Sequence, residues 1–197
     1  MAVTLSNADV VSRLKLLADN HLKADSGTTT SLINSSLIDS NNITNHIVSF
    51  ISGSNIGVDR VISSFDTDTG EIIFDAIDTS ISNVDEVCIM SIGFASDIAQ
   101  AETAIRNDFR NKGYNLDLFL TSSQLKELYI YKTIEIICMG LMNDGVDTDV
   151  YFVQAKRFKE LYQIELSSLI ADYDLNEDGN IDTDEELLPA GQIGFSR

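Results

Sequence analysis

The sequence predicts an α+β fold: an antiparallel helical-bundle core, a small antiparallel β-sheet or barrel module inserted into it, and an extended C-terminal tail. Three observations predict it. Runs rich in β-branched residues fill His46–Ile92, a helical apolar period fills Ser96–Tyr173, and a helix-capping pair stands near the N-terminus.

The elements follow in order. Ser6 and Asp9 have the spacing of a capping box, and Val10, Leu14 and Leu17 share one face, which predicts a helix to about Lys23. Ser26–Asn45 is dominated by Ser, Thr, Asn and Gly and reads as an irregular connection. The runs Ile47–Ile51, Val58–Phe65, Glu71–Ile77 and Val84–Ile92 then read as four strands separated by turn residues. The clearest link is Asp66–Gly70, with Gly70 free to take positive φ; Ile72, Phe74 and Ala76 face one way beyond it.

From Ser96 the period becomes helical. Ile98, Ala101, Ile105 and Phe109 share a face, and Gly113 supplies a stop. Thr121 and Gln124 form a second capping box, for a helix from Ser122 to about Asn143 that is apolar nearly all round in its second half and therefore expected at the centre. A helix from Asp147 or Thr148 to about Tyr173 would bury Phe152, Ala155, Phe158, Tyr162, Leu166 and Leu169. Its short link to the preceding helix predicts an antiparallel hairpin. The expected organisation is a helix of the core in residues 1–25, an irregular connection in 26–45 and the β module in 46–94. Three core helices follow in 95–173, then an EF-hand-like loop in 174–185 and the tail in 186–197.

Charge is the unusual feature of the composition. Acidic residues number 31 against 13 basic ones, a net −18, and the span Asp172–Glu186 alone carries eight acids and no base. Such a surface repels nucleic acid and anionic lipid, because phosphate binding needs clustered Lys and Arg. No signal-peptide pattern and no apolar run of membrane-spanning length stands in the sequence, so a soluble protein with no membrane partner is expected. Cys88 and Cys138 sit in apolar runs without metal-ligand spacing and read as buried free thiols.

One motif carries chemistry. Asp174-Leu-Asn-Glu-Asp-Gly-Asn-Ile-Asp-Thr-Asp-Glu185 fits the twelve-residue EF-hand loop position by position. Asp174, Asn176 and Asp178 fall where side-chain oxygens meet the ion, and Gly179 where the chain turns sharply. Asn180 would offer its carbonyl, Asp182 a direct or water-mediated contact, and Glu185 a bidentate carboxylate. Hard oxygen donors at this spacing select Ca²⁺, and one site is expected. Pro189 limits the exit helix to one turn and no second loop pairs with this one, so weak binding and a structural role are expected. Asp66, Asp68 and Glu71 at the hairpin tip read as turn residues. His21 and His46 stand without a nucleophile or base at a recognisable spacing, and Gly53-Ser-Asn-Ile-Gly57 lacks the nucleophile-elbow pattern, so no enzyme and no catalytic residue is expected.

Two stretches resemble tailed-bacteriophage neck proteins. Ala101-Glu-Thr-Ala-Ile-Arg-Asn-Asp-Phe-Arg-Asn-Lys-Gly-Tyr114, Leu125–Met142 and Tyr151–Leu169, with the acidic loop and the closing Ile193-Gly-Phe-Ser-Arg197, resemble the head–tail connector (adaptor) family. Ser52–Gly70 is similar to small β modules inserted in phage structural proteins. The resemblance implies a virion protein that catalyses no reaction. It implies a homo-oligomeric ring, often about twelvefold, between the portal protein and the tail or neck proteins, with DNA passing its lumen without sequence-specific contact. A stand-alone calcium-binding module, a buffer or a calcium-stabilised interaction domain, is the second expectation.

Overall fold

The computed structural model describes residues 3–119, 122–143, 148–174, 176–183 and 188–189. The chain divides into two compact units, one of Ser6–Phe94 and one of Met1–Leu5 with Ala95–Arg197.

The first unit opens with helix α1 (Asn7–Arg13) and continues through β1 (Asn20–Lys23), β2 (Ser26–Gly27), β3 (Ser31–Ile33), β4 (Ile47–Phe50), β5 (Asp59–Asp66), β6 (Glu71–Phe74) and β7 (Glu86–Met90). These form one antiparallel sheet in the order β1-β7-β4-β5-β6-β3-β2. Strand β5 is the pivot. Its Asp59–Val61 pairs with β4 and its Ile62–Asp66 pairs with β6, and a register shift between Ile62 and Ser64 separates the two. A bulge bends its strand and raises the local twist, which curls the sheet around a core of Leu32, Val48, Phe50, Ile62, Ile72, Phe74, Val87 and Ile89. Asn55 and Asp85, both almost wholly buried, tie the loops at one end. The Asn55 side chain donates to the Thr79 carbonyl at 2.9 Å, and the Asp85 carboxylate accepts the Ser82 N–H at 2.8 Å.

The second unit holds α2 (Ala95–Asn111), α3 (Lys126–Asn143), α4 (Thr148–Ser168) and two short strands, β8 (Ile170–Ala171) and β9 (Leu188–Pro189). Helix α3 packs against both α2 and α4. Ile105, Phe109, Leu116, Phe119, Leu128, Tyr129, Tyr162, Leu166 and Tyr173 form one cluster there. The Tyr162 hydroxyl donates to Asp108 Oδ2 at 2.7 Å. In the same unit Lys132 pairs with the buried Glu135 at 2.9 Å and lies over the Tyr162 ring at 5.0 Å.

The mixed class stands, but the expected architecture is corrected: there is no helical-bundle core with a small β insertion. The sheet has seven strands and its own core, and α1 belongs with it, packed on β4. Helix α1 keeps its capping box, with the Ser6 hydroxyl accepting the Asp9 N–H and Asp9 accepting the Ser6 N–H. It stops at Arg13, not Lys23, because Leu14 leaves helical space at φ −141°. Residues expected to continue the helix form β1, and the expected irregular connection contains β2 and β3. Helix α4 likewise ends at Ser168 before Tyr173, and α2 starts at Ala95, one residue ahead of Ser96. Thr121, Asp147, the turn at Glu185 and the expected tail beyond Pro189 lie outside the described residues.

Both cysteines are buried and free, and burial pushes each thiol up to about 11. A thiol needs to ionise and to be reached before it is alkylated. Iodoacetamide at neutral pH is therefore expected to leave Cys88 and Cys138 unlabelled until urea unfolds the chain. Rapid labelling of the native protein, read by mass spectrometry, would contradict this burial.

Candidate functional site

Two features of the helical unit are candidates for function, the acidic loop after α4 and a groove on the α3–α4 pair. The loop starts from a fixed base. Phe119 and Tyr173 form an antiparallel bridge with their rings 4.9 Å apart, and the Asp174 N–H donates to the Leu118 carbonyl at 3.0 Å. On its far side β9 returns to pair with β8, in the register Ile170 with Pro189 and Ala171 with Leu188. A two-residue ladder therefore closes the loop where an EF-hand has its second helix.

Within the loop, Asp174 is 2 % exposed and turns both carboxylate oxygens onto the backbone. Its Oδ2 accepts the Gly179 N–H at 2.8 Å and its Oδ1 the Asp178 N–H at 3.2 Å. Gly179 takes φ +85°, the left-handed turn that glycine adopts without steric cost. Asp178 Oδ1 accepts the Asn180 N–H at 2.9 Å and its side-chain amide at 3.2 Å. The Asn176 amide nitrogen stands 3.3 Å from both Asp178 Oδ2 and Asp182 Oδ2. The structure thus links Asn176, Asp178, Asn180 and Asp182 through side-chain bonds and turns the Asp174 carboxylate onto the backbone of the same loop; Glu185 lies outside the described residues. Among the described residues, no group of three or more His, Cys, Asp or Glu side chains is close enough to hold a metal. The carboxylates here interleave with amide and backbone groups instead of meeting one another.

The groove has a volume of about 240 Å³ and is lined by Glu135, Met139, Met142, Phe152, Lys156 and Lys159. Met139 is 53 % and Phe152 56 % exposed, and Val153 beside them is 59 % exposed. Phe152, expected in the buried stripe of α4, is therefore corrected to the surface. At 100° per residue it sits at the edge of the stripe that Ala155, Phe158, Tyr162 and Leu166 define, and α3 does not reach over it. Sequence reasoning missed this surface. The available signal was Lys156, Arg157 and Lys159 within four positions of an otherwise acidic chain, next to Phe152 and Val153.

Two further polar groupings stand in the sheet unit. His21 Nε2 lies 3.1 Å from Glu86 Oε2, and Lys15 Nζ 3.2 Å from the same oxygen, an exposed cross-strand cluster. Its bond to His21, with Lys15 adding to it, holds the Glu86 carboxyl below the usual range. Asp66 caps its own turn by accepting the Asp68 N–H at 2.9 Å, which lowers its pKa. Among the described residues no helix is long and apolar enough to cross a membrane. No protein-family model matches the chain, and no curated protein and no solved structure matches it either.

Proposed function

We propose that the chain is a head–tail connector subunit of a tailed bacteriophage, a virion structural protein that forms a homo-oligomeric ring between the portal and the tail. The exposed apolar groove on α3 and α4, in a chain of net charge −18, carries this reading. Apolar side chains of that size left open to water mark a surface for another protein, while the overall charge disfavours nucleic acid as the partner and lets DNA pass the lumen without sticking. The resemblance of Ala101–Leu169 to connector proteins supplies the class of partner: portal, tail or neck proteins, and the chain itself. Immunogold labelling of purified particles from the source culture tests the reading. Label confined to the junction of head and tail is the expected result; label spread over the capsid, or no label, would overturn it.

Within that reading the loop holds one Ca²⁺ through Asp174, Asn176, Asp178, Asp182 and Glu185, with the Asn180 carbonyl as a further donor. A cation replacing the Asn176 amide between Asp178 and Asp182 would meet two carboxylates there. Its role is a clip that fixes the chain beyond β9, since a single loop closed by a ladder has no helix pair to open. Isothermal titration is expected to give a Kd of roughly 10⁻⁴ M. At about a hundred times that concentration, Ca²⁺ then stabilises the fold by about 2.7 kcal/mol. Asp174→Asn is expected to weaken binding at least about tenfold, because the loop's first ligand loses its charge. No heat and no thermal shift at about 10 mM Ca²⁺ would remove calcium from the account.

A further inference from the structure

We infer that the α3–α4 groove is one half of a subunit–subunit seam, and that the other half is the outer face of β5 and β6 on a second copy of the chain. The inference rests on the ring reading and says which surfaces meet.

The groove's chemistry is apolar with a basic rim: Met139, Phe152 and Val153 are exposed, and Lys156 and Lys159 stand exposed beside them. Two identical grooves facing each other would oppose lysine to lysine, so an isologous contact through this face is disfavoured. The complementary surface is apolar with an acidic rim, and the sheet unit carries one. On β5 and β6, Val61 and Ile73 are 57 % and 42 % exposed, although their neighbours Ile62, Ile72 and Phe74 are buried. Exposed Asp66 ends β5, exposed Asp68 stands in the turn after it, and exposed Asp75 and Asp78 follow β6. Arg60 is the only Lys or Arg from Ala24 to Ala95, and its guanidinium is held by the backbone, at 2.8 Å from the Asp59 carbonyl and 3.1 Å from the Ala76 carbonyl. Backbone carbonyls leave the guanidinium its charge, so the rim stands as four aspartates against one arginine and is negative on balance.

Joining unlike patches of one chain gives a heterologous contact, which repeats around an axis and closes into a ring when the rotation permits. Two apolar patches with rims of opposite sign would also let a chain of net −18 associate with itself, because the seam brings together a lysine-rimmed groove and an acidic surface. Salt is expected to loosen such a seam, since rim charges are screened within about 8 Å at physiological ionic strength.

The full chain, examined by native mass spectrometry and sedimentation over a concentration series, tests the seam. Wild type is expected to oligomerise. The pair Lys156→Glu and Lys159→Glu is expected to weaken self-association at least about tenfold, and the pair Asp75→Lys and Asp78→Lys to do the same. All four together should recover most of the loss, with circular dichroism and the thermal midpoint unchanged throughout. If the lysine pair assembles as wild type does, the groove is not the seam and the ring reading survives. If each pair weakens assembly and the four together recover nothing, the β5–β6 half is wrong. A wild type that stays monomeric at every concentration overturns both the seam and the ring.

Discussion

Replacing Phe119 by Ala is expected to destabilise the helical unit by about 3–5 kcal/mol, the cost of deleting a fully buried aromatic side chain. Phe119 is wholly inaccessible and stacks edge to face on two rings, Phe109 at 5.2 Å and Tyr173 at 4.9 Å. Aromatic pairs of this geometry contribute beyond their buried area, so the variant loses both contacts and leaves a cavity. The effect should reach the loop. Tyr173 precedes Asp174, its hydroxyl accepts the Asn115 N–H at 3.2 Å, and Asp174 bonds back to Leu118. Urea unfolding followed by circular dichroism measures the loss, and calcium affinity should weaken in the same variant. A loss under about 1.5 kcal/mol, the range of a well-tolerated core swap, would show that the cluster is not the unit's centre.

Gly70→Ala is expected to destabilise the sheet unit by about 3 kcal/mol, combining a left-handed backbone penalty with overpacking. Gly70 takes φ +68°, and a Cβ built there falls 2.3 Å from the Asn34 carbonyl oxygen. That neighbour is backbone and has little room to retreat. Asn34 donates its N–H to the Gly70 carbonyl at 3.1 Å, its side-chain amide donates to the Lys23 carbonyl, and its Oδ1 accepts the Ser36 N–H at 2.9 Å. Gly57 provides the control. It takes φ +87°, yet a Cβ there meets nothing within 4 Å, so Gly57→Ala should show the strain alone, about 1 kcal/mol. Equal losses in the two variants would mean that Asn34 yields and that the β5–β6 turn is not locked to the β3 segment.

What was legible in the sequence follows from where local signals coincide with tertiary ones. The β5–β6 hairpin shows both an alternating pattern and a glycine at the one position that needs positive φ, and both are found. The helices α3 and α4 show long apolar periods and both are found, with the Gly113 stop after α2 in place at φ +86°. Strands β1, β2 and β3 were not legible. Asn20–Lys23 buries only Leu22, Ser26–Gly27 buries neither residue, and Ser31–Ile33 buries two in succession, so none of the three has an alternation to read. Pairing with β7 and β3 makes them strands, and that is a long-range fact. Missing them turned a seven-stranded sheet with its own core into a small insertion.

The site divided along the same line. The twelve-residue pattern is written in consecutive residues; in the described part of the loop Asn176, Asp178, Asn180 and Asp182 are linked by side-chain bonds, Asp174 bonds to the backbone, and no carboxylate group that could hold a metal forms among the described residues. A groove depends on which neighbour covers which helix face. Phe152 has the spacing of a core residue and lacks only a covering side chain, so its exposure could be seen only once α3 and α4 were packed.

The central claim is that this chain is a virion component present as a ring. Quantitative mass spectrometry of density-purified particles, counting the chain against the major capsid protein, tests it most directly. A fixed copy number near about a dozen per particle is the predicted result. Absence from the particles, or a number that varies with the preparation, would contradict it.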